Sequence, residues 1–191
     1  MVRGPLFPSR FQTVTVVKQP VMNGRQRIGE AILWLTILAM GVITGAGLFQ
    51  KISLIPAWTR DLPGSVVTYF KGTMMAQDFS RFWGTVVPAS ALLVVGTLIF
   101  NLADRARRKW IAVGAGLFGA VFVATLLYFV PRGVLPLMVR AGAGMSGEEI
   151  TRVMRQWVFW DGFRMVAMVA CFFAYLKAAT VKVGGAMGSD Q

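Results

Sequence analysis

The sequence predicts an all-α integral membrane protein, a four-helix bundle with two long outer loops and a short amphipathic helix before the last span. Three observations carry that fold class. First, the chain of 191 residues is 55% hydrophobic and only 15% charged, with a mean hydropathy of +0.61. Soluble domains carry about 25% charged residues, and disordered chains are far less hydrophobic. Second, four separate stretches reach the length of about 20 residues that a helix needs to cross a bilayer. Third, irregular backbone facing lipid would leave its amides unsatisfied, so each stretch must be helical.

Taken in order, residues 1–27 carry Arg3, Arg10, Lys18, Arg25 and Arg27. They lack the apolar core and small-residue cleavage site of a signal peptide and read as a basic cytoplasmic arm. The transmembrane domain spans 28–180. Its first span, about 28–49, has Glu30 as its one charge. The second, about 82–102, and the third, about 110–130, carry none. The fourth, about 158–180, holds Asp161, Arg164 and Lys177. Residues 181–191, with Gly184, Gly185 and Gly188, read as a flexible tail.

Between spans two and three, Asp104-Arg105-Ala106-Arg107-Arg108-Lys109 packs four positive charges into six residues. With the basic arm, this places both termini and the short loop in the cytoplasm by the positive-inside rule. A bacterial inner membrane is the expected location. The net charge of +12 is therefore read as orientation and contact with anionic lipid, not as a nucleic-acid footprint.

Small residues suggest how the helices meet. Gly41 and Gly45, with Gly47 nearby, mark span one. Ala112, Gly116 and Ala120 form one row on span three, and Ala115 with Gly119 another. Such rows allow close helix approach inside a bundle. In the first outer loop, Val66 to Phe70 forms a short interfacial element. In the second, Ser146 and Glu149 make a capping box that starts a helix near residue 147. Ile150, Val153, Met154 and Trp157 line its apolar face, while Arg152 and Arg155 fall off it. This helix is expected to lie on the membrane surface and then turn into span four. A faint internal echo links Arg81-Phe82-Trp83-Gly84 with Phe159-Trp160-Asp161-Gly162.

The absence of His excludes His-ligated haem, an HExxH zinc site and a Ser-His-Asp triad. The lone Cys171 cannot build an internal disulfide or a Cys-ligated cluster. No cofactor is expected, so any catalysis falls to carboxylates, Arg and aromatic rings.

Asp161 and Arg164 share one face of span four, about a turn inside the apolar stretch. Intramembrane charges face the bundle or a watery cavity. One reading is a self-satisfying ion pair, another is a polar anchor for a ligand, and the two are compatible. Trp58, Trp83, Tyr128, Arg132, Trp157 and Trp160 gather at the same membrane face, with Lys51 at the end of span one. An aromatic belt with snorkelling Arg explains them. So does a pocket for a flat phenolic or quinone-like ligand, with rings stacking and Arg holding an oxygen anion.

Three features resemble the DUF1772 family of small four-helix membrane proteins, which includes the fungal anthrone oxygenases. They are Gly45-Ala46-Gly47-Leu48-Phe49 running on to Pro56, Val130-Pro131 ending the third span, and Trp157-x-x-Trp160-Asp161-x-x-Arg164 opening the last. The likeness covers about residues 35 to 178. Asp161 stands where the family usually has Asn, and Arg132-Gly133 where it tends to have a polar Asn. The resemblance implies cofactor-independent oxidation of an anthrone by dioxygen. Asp161 would then be the base, Arg164 the oxyanion partner, and Trp58, Trp157 and Trp160 the slot. The alternative is a non-catalytic accessory or assembly subunit of a larger membrane complex. A transporter ranks lowest, because no span is broken at its middle.

Overall fold

The computed structural model describes residues 23–70, 74–140 and 144–181. The expected basic arm up to residue 22 and the tail from residue 182 lie outside the described residues. Every regular element among the described residues is helical, and four helices are long and apolar enough to cross a membrane.

Helix α1 (Gly24–Phe49) starts before the expected span because Asn23 caps it. The Asn23 side chain accepts from the Gln26 amide at 2.9 Å, and Gln26 accepts from the Asn23 amide at 3.0 Å. The chain then continues as a π-helical turn over Gln50–Leu54 and as α2 (Ile55–Thr59), with Pro56 in its first turn. These 36 residues form one continuous rod. At about 1.5 Å per residue it is longer than a bilayer core of about 30 Å, so its end projects beyond the hydrocarbon.

Segments expected as loops are thus largely helical. α3 (Gly64–Phe70) covers the expected interfacial element. α4 (Met74–Asn101) carries Pro88 in its interior, and α5 (Arg105–Ala124) is capped by Asp104, which accepts from the Ala106 amide at 3.0 Å. A π-helical run over Thr125–Val134 leads from α5 into α6 (Leu135–Arg140).

Half of the expected capping box forms: Ser146 caps the helix by accepting from the Glu149 amide at 3.2 Å, and α7 runs from Gly147 to Thr180. The amphipathic segment is the first part of this single helix. No turn separates it from the span, since nothing between Trp157 and Arg164 breaks a helix. Ile150, Met154 and Trp157 are buried, and Arg152 and Arg155 are exposed.

The four long helices stand in the ring order α1, α4, α5, α7, with α4 and α5 the loosest neighbours. Leu33, Met40, Val94, Ile111, Phe118 and Tyr175 build the central core. A second core at the long-loop end joins Trp58, Val66, Leu137, Ile150, Met154 and Trp157, so α2, α3 and α6 cap the bundle. At the short-loop end, Asn101 Nδ2 donates to the Gly29 carbonyl at 3.0 Å, Thr36 and Thr97 hydroxyls meet at 2.7 Å, and Arg107 pairs with Glu30. These bonds tie α1 to α4 and α5 where lipid supplies no hydrophobic drive.

Close approach occurs at fewer small residues than expected. A Cβ on Gly47 would lie 2.5 Å from Met165 Sδ, and one on Gly114 would lie 2.8 Å from the Tyr175 ring. The row Ala112, Gly116, Ala120 is exposed instead, and a Cβ on Gly116 or Gly119 meets nothing within 4 Å. A helix apolar on every side has several small-residue rows, and spacing alone does not say which faces inward.

Candidate functional site

A cavity of about 390 Å³ opens at the long-loop end, between the end of α1, α4, the π-helical run after α5, and α7. Its walls are mostly apolar, with Trp83, Phe129, Trp157 and Met165 among them; Gln50 and Arg164 supply the main polar groups.

Both π-helical segments border this cavity, one through Gln50 and the other through Thr125, Leu126, Phe129 and Val130. A π turn holds an extra residue, which resets the facing of everything beyond it, and such turns are frequent at functional sites. No simple sequence periodicity announces them.

Behind the wall sits a three-charge cluster. Asp161 is 1% exposed. Its Oδ1 accepts from Arg164 Nε at 3.0 Å, and its Oδ2 lies 3.6 Å from Lys51 Nζ. Lys51 also donates to the Val158 carbonyl at 3.0 Å, which ties the π turn of α1 to α7. Two cations therefore surround one carboxylate. The Arg164 guanidinium lies 5.5 Å from the Phe129 ring centre and 5.8 Å from that of Trp83. Its Nε and Nη2 serve Asp161. Its Nη1 has no hydrogen-bond partner among the described residues, and Arg164 is one of the cavity-lining residues.

The sequence-predicted residues divide into layers. Trp83, Trp157 and Arg164 come together on the cavity wall. Asp161 stands behind Arg164 and anchors it. Trp58 packs one layer out in the cap, its ring centre 5.8 Å from that of Trp157 and 4.8 Å from that of Tyr69. Burial raises the Tyr69 pKa above its usual 10.0, against a smaller lowering by its hydrogen bond with Trp58, so the phenol stays neutral. Tyr128 and Arg132 form their own cation–π contact at 5.7 Å, outside the cavity. Trp160 is exposed beside Phe159 and Phe163. The internal echo therefore pairs residues in different settings: Trp83 lines the cavity, and Trp160 faces outward.

Sequence reasoning missed Gln50 and Phe129. Gln50 is a lone amide at the end of an apolar span, and that polarity was its available signal. Nothing distinguishes Phe129 among 14 phenylalanines without the π-helical run that turns it inward. Among the described residues, no group of three or more Cys, Asp or Glu could hold a metal ion.

Set against known proteins, the chain matches no family model, no curated protein and no solved structure. The residues of the site itself are what its function can be argued from.

Proposed function

We propose that the protein binds a flat phenolic or anthrone-like compound in the cavity at the long-loop end of its bundle. The observation that carries this reading is an aromatic-walled cavity with the Arg164 guanidinium on its wall. Trp83, Trp157 and Phe129 supply faces for stacking. Arg164, held by Asp161, supplies the donor for a phenolate or enolate oxygen. Asp161 positions Arg164 and does not itself line the cavity.

The resemblance to anthrone oxygenases extends the reading to chemistry. An anthrone, once deprotonated, would give electrons to dioxygen and yield an anthraquinone and water. That step needs a base at the carbon acid, and both Asp161 oxygens face cations. The geometry therefore supports binding further than oxidation. The charge distribution supports an orientation with both termini in the cytoplasm. A second reading, an accessory subunit of a larger membrane complex, draws on the outward row of Ala112, Gly116 and Ala120, which suits close contact with another helix.

Binding is tested with the purified protein in lipid nanodiscs, titrated with 1,8-dihydroxyanthrone while tryptophan emission is followed. Two of the six tryptophans, Trp83 and Trp157, sit on the cavity wall, so saturable partial quenching is expected. Quenching that never saturates, as from partition into lipid, would count against the proposal.

A further inference from the structure

Gln50 is 2% exposed, and neither its Nε2 nor its Oε1 has a hydrogen-bond partner among the described residues. It lies on the cavity wall at the first residue of the π-helical turn. Burying an amide unpaired is costly, and a leucine at the same place would avoid that cost. An acyl chain filling the cavity would leave the amide as it is. A ligand oxygen would pair it.

The carboxamide both donates and accepts, whereas a guanidinium only donates. Arg164 alone suits a carbonyl or an oxyanion. Gln50 adds an acceptor for a hydroxyl as well as a donor for a carbonyl. The pair together fits a ring system that carries oxygen in either redox form.

The route in is also marked. Gly84 and Pro88 of α4, and Leu126 and Val130 of the run after α5, line the cavity and are exposed. They stand where α4 and α5 are most loosely joined. A Cβ on Gly84 would meet nothing within 4 Å. Pro88 has no amide to donate to the Gly84 carbonyl, which removes one rung of the helix ladder at this edge. With α4 and α5 crossing a bilayer, an opening at this edge would face hydrocarbon.

We infer that the cavity is filled sideways from the bilayer by lipid-soluble quinones and quinols, and that Gln50 selects them by their ring oxygen. This rests on the reading of the cavity as a ligand site. Gln50 is a specificity-determining residue, and Gly84 sits at the doorway.

The test uses the full chain in nanodiscs, with menadione as the oxygenated ligand and 2-methylnaphthalene as its hydrocarbon counterpart. Menadione is followed by tryptophan quenching, and the hydrocarbon by its displacement of menadione. The wild type is expected to prefer menadione by about tenfold. Gln50→Leu should bring the two within about twofold of each other and raise the thermal midpoint of the ligand-free protein, which a structural role for the amide would not do. Gly84→Leu should slow menadione association. If Gln50→Leu keeps the tenfold preference, the selection is overturned, although the cavity still binds both compounds. Unchanged association in Gly84→Leu overturns the sideways route. If the wild type binds neither compound, the ligand site falls with the inference.

Discussion

Asp161→Ala is expected to be among the most destabilising single substitutions in this protein, at about 3 kcal/mol. The carboxylate is 1% exposed and faces two cations, Arg164 at 3.0 Å and Lys51 at 3.6 Å. Removing it leaves two like charges close together near the edge of the hydrocarbon. The effect falls at the low end of the range for broken buried pairs, about 3–5 kcal/mol. The reason is that Lys51, its side chain 33% exposed, can retreat toward water along its own aliphatic stem. Unfolding in detergent, followed by thermal or denaturant midpoint, measures the loss. Lys51→Met should cost much less, because the Asp161–Arg164 pair stays intact. The double variant Asp161→Leu with Arg164→Leu should recover most of the loss, since it buries no unpaired partner from that pair. A full loss in the double variant would show that packing, and not charge, sets the effect.

Arg164→Leu is expected to weaken binding of a phenolate-forming ligand by about tenfold to a hundredfold, the worth of one charge-assisted hydrogen bond. Trp83, Trp157 and Phe129 would remain, so stacking persists and binding falls without vanishing. Comparing the single variant with the Asp161→Leu, Arg164→Leu double variant separates binding from folding. Both lack the donor, but only the single variant leaves Asp161 with Lys51 as its sole cation. Both should show the same weakened affinity for 1,8-dihydroxyanthrone. The wild type should bind more tightly as the pH rises through the ligand's own ionisation, and both variants should lose that rise. An affinity unchanged by Arg164→Leu would remove Arg164 from the site.

The four spans were legible because composition and length leave a bilayer-crossing chain few alternatives. Ser146 with Glu149 announced the start of α7, and the spacing of Asp161 and Arg164 announced their pairing. Asn23 with Gln26 is an equally plain cap, and it moves the start of α1 ahead of the apolar run. Other features depend on the assembled bundle. The helical character of 50–59 and 131–140 cannot be read from residues rich in Pro, Gly and aromatic side chains. The π-helical segments sit where the ends of α1 and α5 meet α7. They bring Gln50 and Phe129 to the cavity while Tyr128, one residue earlier, points elsewhere. Of eight candidate positions, the wall holds Trp83, Trp157 and Arg164. The others cluster at the same end because aromatic and cationic residues favour a membrane interface whether or not a ligand binds there.

The central claim is that the cavity, rather than the outward aromatic surface, receives a flat oxygenated ligand. Photolabelling tests it most directly. The protein in nanodiscs is irradiated with 2-azidoanthraquinone, and the modified residues are mapped by mass spectrometry. Adducts are predicted on Trp83, Phe129, Trp157 and Met165, suppressed by excess 1,8-dihydroxyanthrone. Adducts confined to the exposed Phe159, Trp160 and Phe163, and indifferent to competitor, would contradict it.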